Sequence, residues 1–209
     1  MGESVTLSTD LWQQNAELAT AALGHPFVRG LADGSLATAQ FAAFIAQDAY
    51  FLEAFARAYA LALAHCPDRS GMDTFADLLA GVRNEVALHA SYAERLGIDL
   101  ALNIPTSATL TYTEFLLANA AIGGTGLTCA AMTPCMRLYA HIGQALSRER
   151  HDQRYQEWID TYADPAFEDL ATRLEQLLDR YATDAKRAQA VYQRAMQLEL
   201  AFFDAALAS

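Results

Sequence analysis

One period runs through this 209-residue chain: apolar residues recur three and four positions apart, and no stretch alternates as a half-buried strand would. A chain of that kind can hide its apolar side chains only by packing helix on helix. The pattern predicts helices over residues 9–23, 25–33, 38–65, 72–96, 107–121, 125–150, 154–162, 165–181 and 185–206. Gly24 and Gly97 stand where a helix C-terminal glycine would. Asp68-Arg69-Ser70-Gly71 reads as a loop. Asp164-Pro165 places proline at a first helical position behind a capping aspartate, and Thr183-Asp184 is a second capping signal. No linker is long enough to divide the chain and no internal repeat is visible. The expectation is an all-α bundle of seven or more helices, with residues 1–209 forming a single domain.

With 53% hydrophobic and 19% charged residues, the chain has ample material for a large core. Its formal charge of −11 repels nucleic-acid phosphates and anionic lipid, so neither is an expected partner. Asp10 and Glu17 interrupt the N-terminal stretch, which lacks a secretory pattern. The stretch from Phe115 to Met136 comes nearest to a membrane span. Asn119, the tandem Gly123-Gly124 and several threonines make it two helices joined by a glycine turn. The three cysteines, Cys66, Cys129 and Cys135, include no Cys-x-x-Cys pair, which argues against a disulfide framework or zinc site. Cys129 and Cys135 lie about 9 Å apart along a helix, too far for a bridge. A reducing cytoplasm is the expected location.

Three helical stripes carry residues that do not belong in an oily core. Phe41, Phe44, Ile45, Asp48, Leu52, Phe55 and Tyr59 follow one buried face, with Asp48 in a core slot. Tyr192, Ala195, Met196, Glu199, Phe202 and Phe203 follow another, with Glu199 in a core slot. Thr128, Met132, Cys135, Tyr139 and Ile142 share a third. A lone buried cysteine is ordinarily a small hydrophobe, and a lone core carboxylate is often a satisfied hydrogen bonder. Two carboxyls and a thiol aimed at one interior are another matter, because each buried carboxylate costs several kcal/mol, roughly, unless it is paired or protonated. The conjunction predicts a polar-walled pocket, and the nine tyrosines supply hydroxyls for it.

The histidines give a weaker signal. Glu85 and His89 are four apart, whereas a helical di-iron site needs repeated Glu-x-x-His units. They read as a structural Glu–His pair between helices. His25, His65, His141 and His151 lie in unlike contexts, so no metal and no cofactor is expected. Gly123-Gly124-Thr125-Gly126 has no lysine in a phosphate-loop position and follows no strand.

Several pieces, in order along the chain, match a known pattern: Gln47-Asp48-Ala49-Tyr50-Phe51-Leu52, Asn84-Glu85 with His89, Tyr112, Pro134-Cys135 with Tyr139, Trp158-Ile159-Asp160-Thr161-Tyr162, and Glu199 with Phe202-Phe203. With these the chain resembles the TenA/thiaminase II family, in the class with an active-site cysteine. The resemblance implies a heme-oxygenase-like helical bundle without haem, usually a homotetramer. It implies hydrolysis of the aminomethyl pyrimidine derived from degraded thiamin, and of thiamin in many members. It implies Cys135 as a nucleophile toward the pyrimidine ring, Glu199 as the acid/base at a ring nitrogen and Asp48 as the anchor for the amidine edge. It also implies Tyr112, Tyr139 and Tyr162 as orienting hydroxyls and Phe202 as a stacking wall. Phe51 stands where many members have tyrosine, Phe203 where tryptophan is common, and Tyr162 aligns after a one-residue gap. The alternatives are another enzyme on the same fold, such as an oxidase of the pyrroloquinoline-quinone-biosynthesis type, or a non-enzymatic regulator.

Overall fold

The helix that carries Cys135 is the axis of the structure, a computed structural model that describes residues 5–149 and 153–208. Ten α-helices are present among these residues: α1 Leu7–Gln14, α2 Ala16–Leu23, α3 Pro26–Asp33, α4 Thr38–His65, α5 Arg69–Leu96, α6 Ser107–Ile122, α7 Gly124–Ser147, α8 Gln156–Ala163, α9 Pro165–Tyr181 and α10 Ala185–Leu207. Two short 3-10 turns, Leu100–Leu102 and Gln153–Tyr155, join them, and the described residues include no strand. α7 packs against α4, α6, α8, α9 and α10, while α5 leans on α4 and α9. Its first two turns and most of the rest are buried, which a helix apolar on every side requires. No described helix is long and apolar enough to cross a membrane.

The helical periods place the long elements well, and the departures have local causes. The single helix expected over residues 9–23 is two helices. Asn15 breaks it with φ −106° and ψ 16°, its side chain donating to the Leu11 carbonyl at 2.8 Å. Asparagine competes with the helix for backbone partners in this way. Residues 68–71 are not a loop. Asp68 caps α5 by accepting from the Gly71 amide at 3.0 Å, so the helix begins at Arg69. The same carboxylate takes the Tyr181 hydroxyl at 2.8 Å, tying the start of α5 to the end of α9. Gly97 ends α5 at φ 67°, a conformation that suits glycine, whereas Gly24 ends α2 at φ −83°. The expected helix end at Arg150, and His151, lie outside the described residues.

Close approach of α7 to α8 depends on one missing side chain. A Cβ at Gly143 would collide with the backbone of Tyr162 and Ala163, which cannot swing aside as a flexible side chain could. Gly143→Ala is therefore expected to destabilise by about 1–3 kcal/mol, the usual range for an overpacked core. It also pushes Tyr162 off its position. Urea unfolding of the variant tests this, and an unchanged midpoint would show that α8 is free to shift.

Candidate active site

Asp48 is placed by the buried stripe of α4, Glu85 by α5, Cys135 and Tyr139 by α7, and Tyr162 by α8. These five residues, with Phe51, Phe55, Met136 and Phe167, surround a small cavity of about 10 Å³. That is room for about one water. Pro134, which precedes the cysteine, lies inside α7 and has no N–H to give, so the helix loses one bond in the turn below Cys135.

Glu199, Tyr112 and Phe202 adjoin this cavity, Glu199 beside Cys135, Tyr112 on Glu199 and Phe202 against Phe51. Glu199 is 1% exposed on α10. Its Oε1 accepts the Tyr112 hydroxyl at 2.5 Å, and the Cys135 thiol lies beside the same carboxyl. Phe202 packs its ring 5.9 Å from Phe51 and 5.8 Å from Phe44. Phe51 in turn lies 4.7 Å from the Tyr112 ring. Tyr139 packs edge-on to Tyr162 at 4.9 Å.

The Glu–His pair expected from sequence is not formed through the carboxylate. His89 Nε2 meets Asp48 Oδ2 at 2.7 Å, and Nδ1 meets the main-chain carbonyl of Glu85 at 2.9 Å. The Glu85 carboxylate instead accepts the Tyr162 hydroxyl at 2.7 Å. The geometry of one helix explains the exchange. A side chain at position 89 reaches back to the carbonyl at 85, while α4 offers a better-aligned carboxylate from across the interface. His89 and Glu85 are thus polar members of the site, where their spacing in sequence suggests only a structural pair. A signal for their place in it exists: Leu78, Val82, Glu85 and His89 continue one three-and-four stripe.

Burial sets the electrostatics. It pushes the Glu199 carboxyl up to about 8, reinforced by the nearby Asp48 charge and opposed by the hydrogen bond from Tyr112 and by Cys135. It raises Glu85 as well, with His89 pulling the other way. The Cys135 thiol is driven well above its ordinary value by burial and then by Glu199, Glu85 and Asp48. Burial opposes charge on His89, but the Asp48 carboxylate beside it outweighs that and lifts it to about 9. Near neutral pH the site therefore holds an imidazolium against Asp48, a protonated Glu199 and a thiol rather than a thiolate. Both His89 ring nitrogens are committed. Among the described residues no group of three or more His, Cys, Asp or Glu is arranged to hold a metal ion.

The chain is similar to known proteins across its length. It is 33% identical to the aminopyrimidine aminohydrolase of Halalkalibacterium halodurans over 97% of this chain and 96% of that protein. It is 36% identical to the bifunctional TH2 protein of Arabidopsis thaliana over 86% of this chain, spanning 34% of that longer protein. A TenA family transcription regulator from Silicibacter superposes with a TM-score of 0.91 at 28% identity, covering all of both chains. A Shewanella denitrificans domain with a heme oxygenase-like fold superposes with a TM-score of 0.76 at 16% identity, over 96% of this chain and 91% of that one. That likeness shows the fold alone, and it is the helical bundle expected. The family described as TENA/THI-4/PQQC matches residues 11–209, and the chain belongs to it.

Proposed function

We propose that this protein is an aminopyrimidine aminohydrolase of thiamin salvage, converting 4-amino-5-aminomethyl-2-methylpyrimidine and water into the hydroxymethyl pyrimidine and ammonia. The observation that carries the reading is the Cys135 thiol set beside a buried Glu199, which Tyr112 holds, and near the Asp48–His89 pair. The aminohydrolase name borne by a relative of nearly the same length supports it.

The raised thiol argues for attack coupled to proton transfer. Cys135 sulfur bonds to a ring carbon as its proton passes to Glu199, and Glu199 gives its own proton to a ring nitrogen. No charge then builds on sulfur among three acidic neighbours. The ring electron pair moves toward the exocyclic methylene and expels its ammonium group as ammonia. Water adds its hydroxyl to that methylene and releases a proton. The carbon–sulfur bond breaks and the proton returns from the ring nitrogen through Glu199 to sulfur. Asp48, steadied by His89, accepts N–H groups of the amidine edge. Tyr139 and Tyr162 orient the thiol and the departing group, and Phe51 furnishes the aromatic wall, with Phe202 packed against it.

A single domain over residues 1–209, assembly as a homotetramer and a cytoplasmic location complete the proposal. The exposed Leu102, Ile104 and Leu110 support association. The direct test is incubation with the aminomethyl pyrimidine and with thiamin, reading ammonia and pyrimidine products by mass spectrometry. Release of neither hydroxymethyl pyrimidine nor ammonia would reject the reading. Because His89 has no free ring nitrogen and Glu85 is bound to Tyr162, activity is expected to survive exhaustive chelation. Loss on chelation with recovery on adding back iron, zinc or manganese would overturn that expectation.

A further inference from the structure

A pocket of about 230 Å³ lies between the start of α4, the end of α5 and the start of α8, and it shares no lining residue with the reaction cavity. Phe41, Leu96 and Tyr155 give it apolar walls. Two buried polar atoms of its lining residues have no hydrogen-bond partner among the described residues: the Tyr92 hydroxyl and Trp158 Nε1. Tyr92 is 6% exposed and Trp158 1%. Each of these atoms forfeits its hydration without repayment, and native cores leave few such groups. Burial, then Glu157, holds the Tyr92 phenol protonated, with Arg95 pulling the other way, and an indole nitrogen only donates. Both groups therefore call for an acceptor. The charge that suits them follows from their neighbours. Arg95 lies 4.8 Å over the Tyr92 ring and pairs with Glu157 at 2.7 Å, so those two charges offset each other. Thr38, the first residue of the 28-residue α4, lines the same pocket, and Ala37 before it has no side-chain acceptor to cap the helix. The positive end of α4 is thus left uncovered there, which favours an anion.

We propose that this pocket is a second small-molecule site, one that takes a flat aromatic carboxylate. The ring packs among Phe41, Leu96 and Tyr155, and the two carboxylate oxygens accept from Tyr92 and Trp158 near the start of α4. Neither donor atom is open to solvent, so the ligand is gripped as the two rings tip toward it. The Trp158 ring is 4.7 Å from that of Tyr162, and the Tyr92 ring is 6.2 Å from that of His89. A ligand held here therefore lies one side chain away from two polar members of the candidate active site. The inference stands apart from the hydrolase reading, because neither the binding nor its test involves turnover.

The chain has two tryptophans, Trp12 and Trp158, so Trp12→Phe makes Trp158 fluorescence the sole indole signal. In that parent, benzoate is expected to give a saturable change with a Kd of about 0.1–1 mM, the range for so small a ligand. Benzamide has the same shape without the charge and should bind about fivefold more weakly. Adding Tyr92→Phe should weaken benzoate about tenfold, since a hydrogen bond to a charged group is lost. It deletes only an unpaired hydroxyl, so its thermal midpoint should equal or exceed that of the parent. Adding Leu96→Ile, which keeps the apolar wall and every donor, should change the benzoate Kd by less than about threefold. No saturable change on the order of tens of millimolar benzoate would overturn the proposal. Equal benzoate affinity in the parent and in Tyr92→Phe would do the same, since the ligand would then sit elsewhere. Benzamide or phenyl phosphate binding more tightly than benzoate would reject the carboxylate.

Discussion

Cys135→Ser is expected to fold normally and to lose turnover on the order of a thousandfold or more, while Cys129→Ser keeps it. The two cysteines sit on one helix, six residues apart, in opposite circumstances. Cys129 is completely buried in the core, raised by burial, and does not line the cavity. Cys135 is partly exposed, lines the cavity and lies beside Glu199. Serine preserves the shape. Its alcohol is far harder to deprotonate than a thiol, and the three acidic groups around this position raise that barrier further. Ammonia release under saturating substrate measures the loss, and urea midpoints show whether the fold is kept. Cys135→Ser with near-wild-type turnover would remove the covalent step altogether.

Much of this site is legible in the amino-acid sequence. Asp48, Glu199 and Cys135 each interrupt an apolar stripe, and a stripe fixes which face of a helix is buried. Three such interruptions on three helices converge because a bundle has one interior. Periodicity does not say which partner each group takes. His89 and Glu85 illustrate the limit: spacing four along a helix suggests a side-chain pair, yet the better acceptor for His89 comes from α4, 41 residues away. Pairing across helices depends on rotation and axial offset, which periodicity leaves undetermined. The layering is equally hidden. Tyr112, Glu199 and Phe202 face the same interior as Asp48 but adjoin the cavity through Cys135 and Phe51. Helix boundaries escape the pattern for a simpler reason. Asn15 and Asp68 act through side-chain bonds to backbone, one ending a helix in mid-run and the other starting one a turn early.

Glu199→Gln should lower kcat by about 10²–10⁴-fold, the range for loss of a general acid, and change KM much less. The amide fits the same slot and still accepts from Tyr112, but it cannot carry a proton from sulfur to the ring. The pH dependence separates this role from a merely structural one. With its carboxyl raised from 4.5 to about 8, Glu199 is protonated below that point, so wild-type kcat should fall as pH rises through about 8. The variant should lack that limb. Stability supplies an independent reading with the sign fixed by linkage. A group whose folded value lies above its unfolded one binds more protons when folded, so Glu199 contributes stability that is lost as pH rises between about 4.5 and 8. His89, raised from 6.5 to about 9, contributes stability that is fully present below 6.5 and lost as pH climbs through about 9. Glu199→Gln should therefore remove the decline this carboxyl contributes between about pH 4.5 and 8 and keep the decline His89 contributes between 6.5 and about 9. Denaturant midpoints across this range measure both segments. A variant that keeps both the rate limb near pH 8 and the slope below 6.5 would assign that proton to another group.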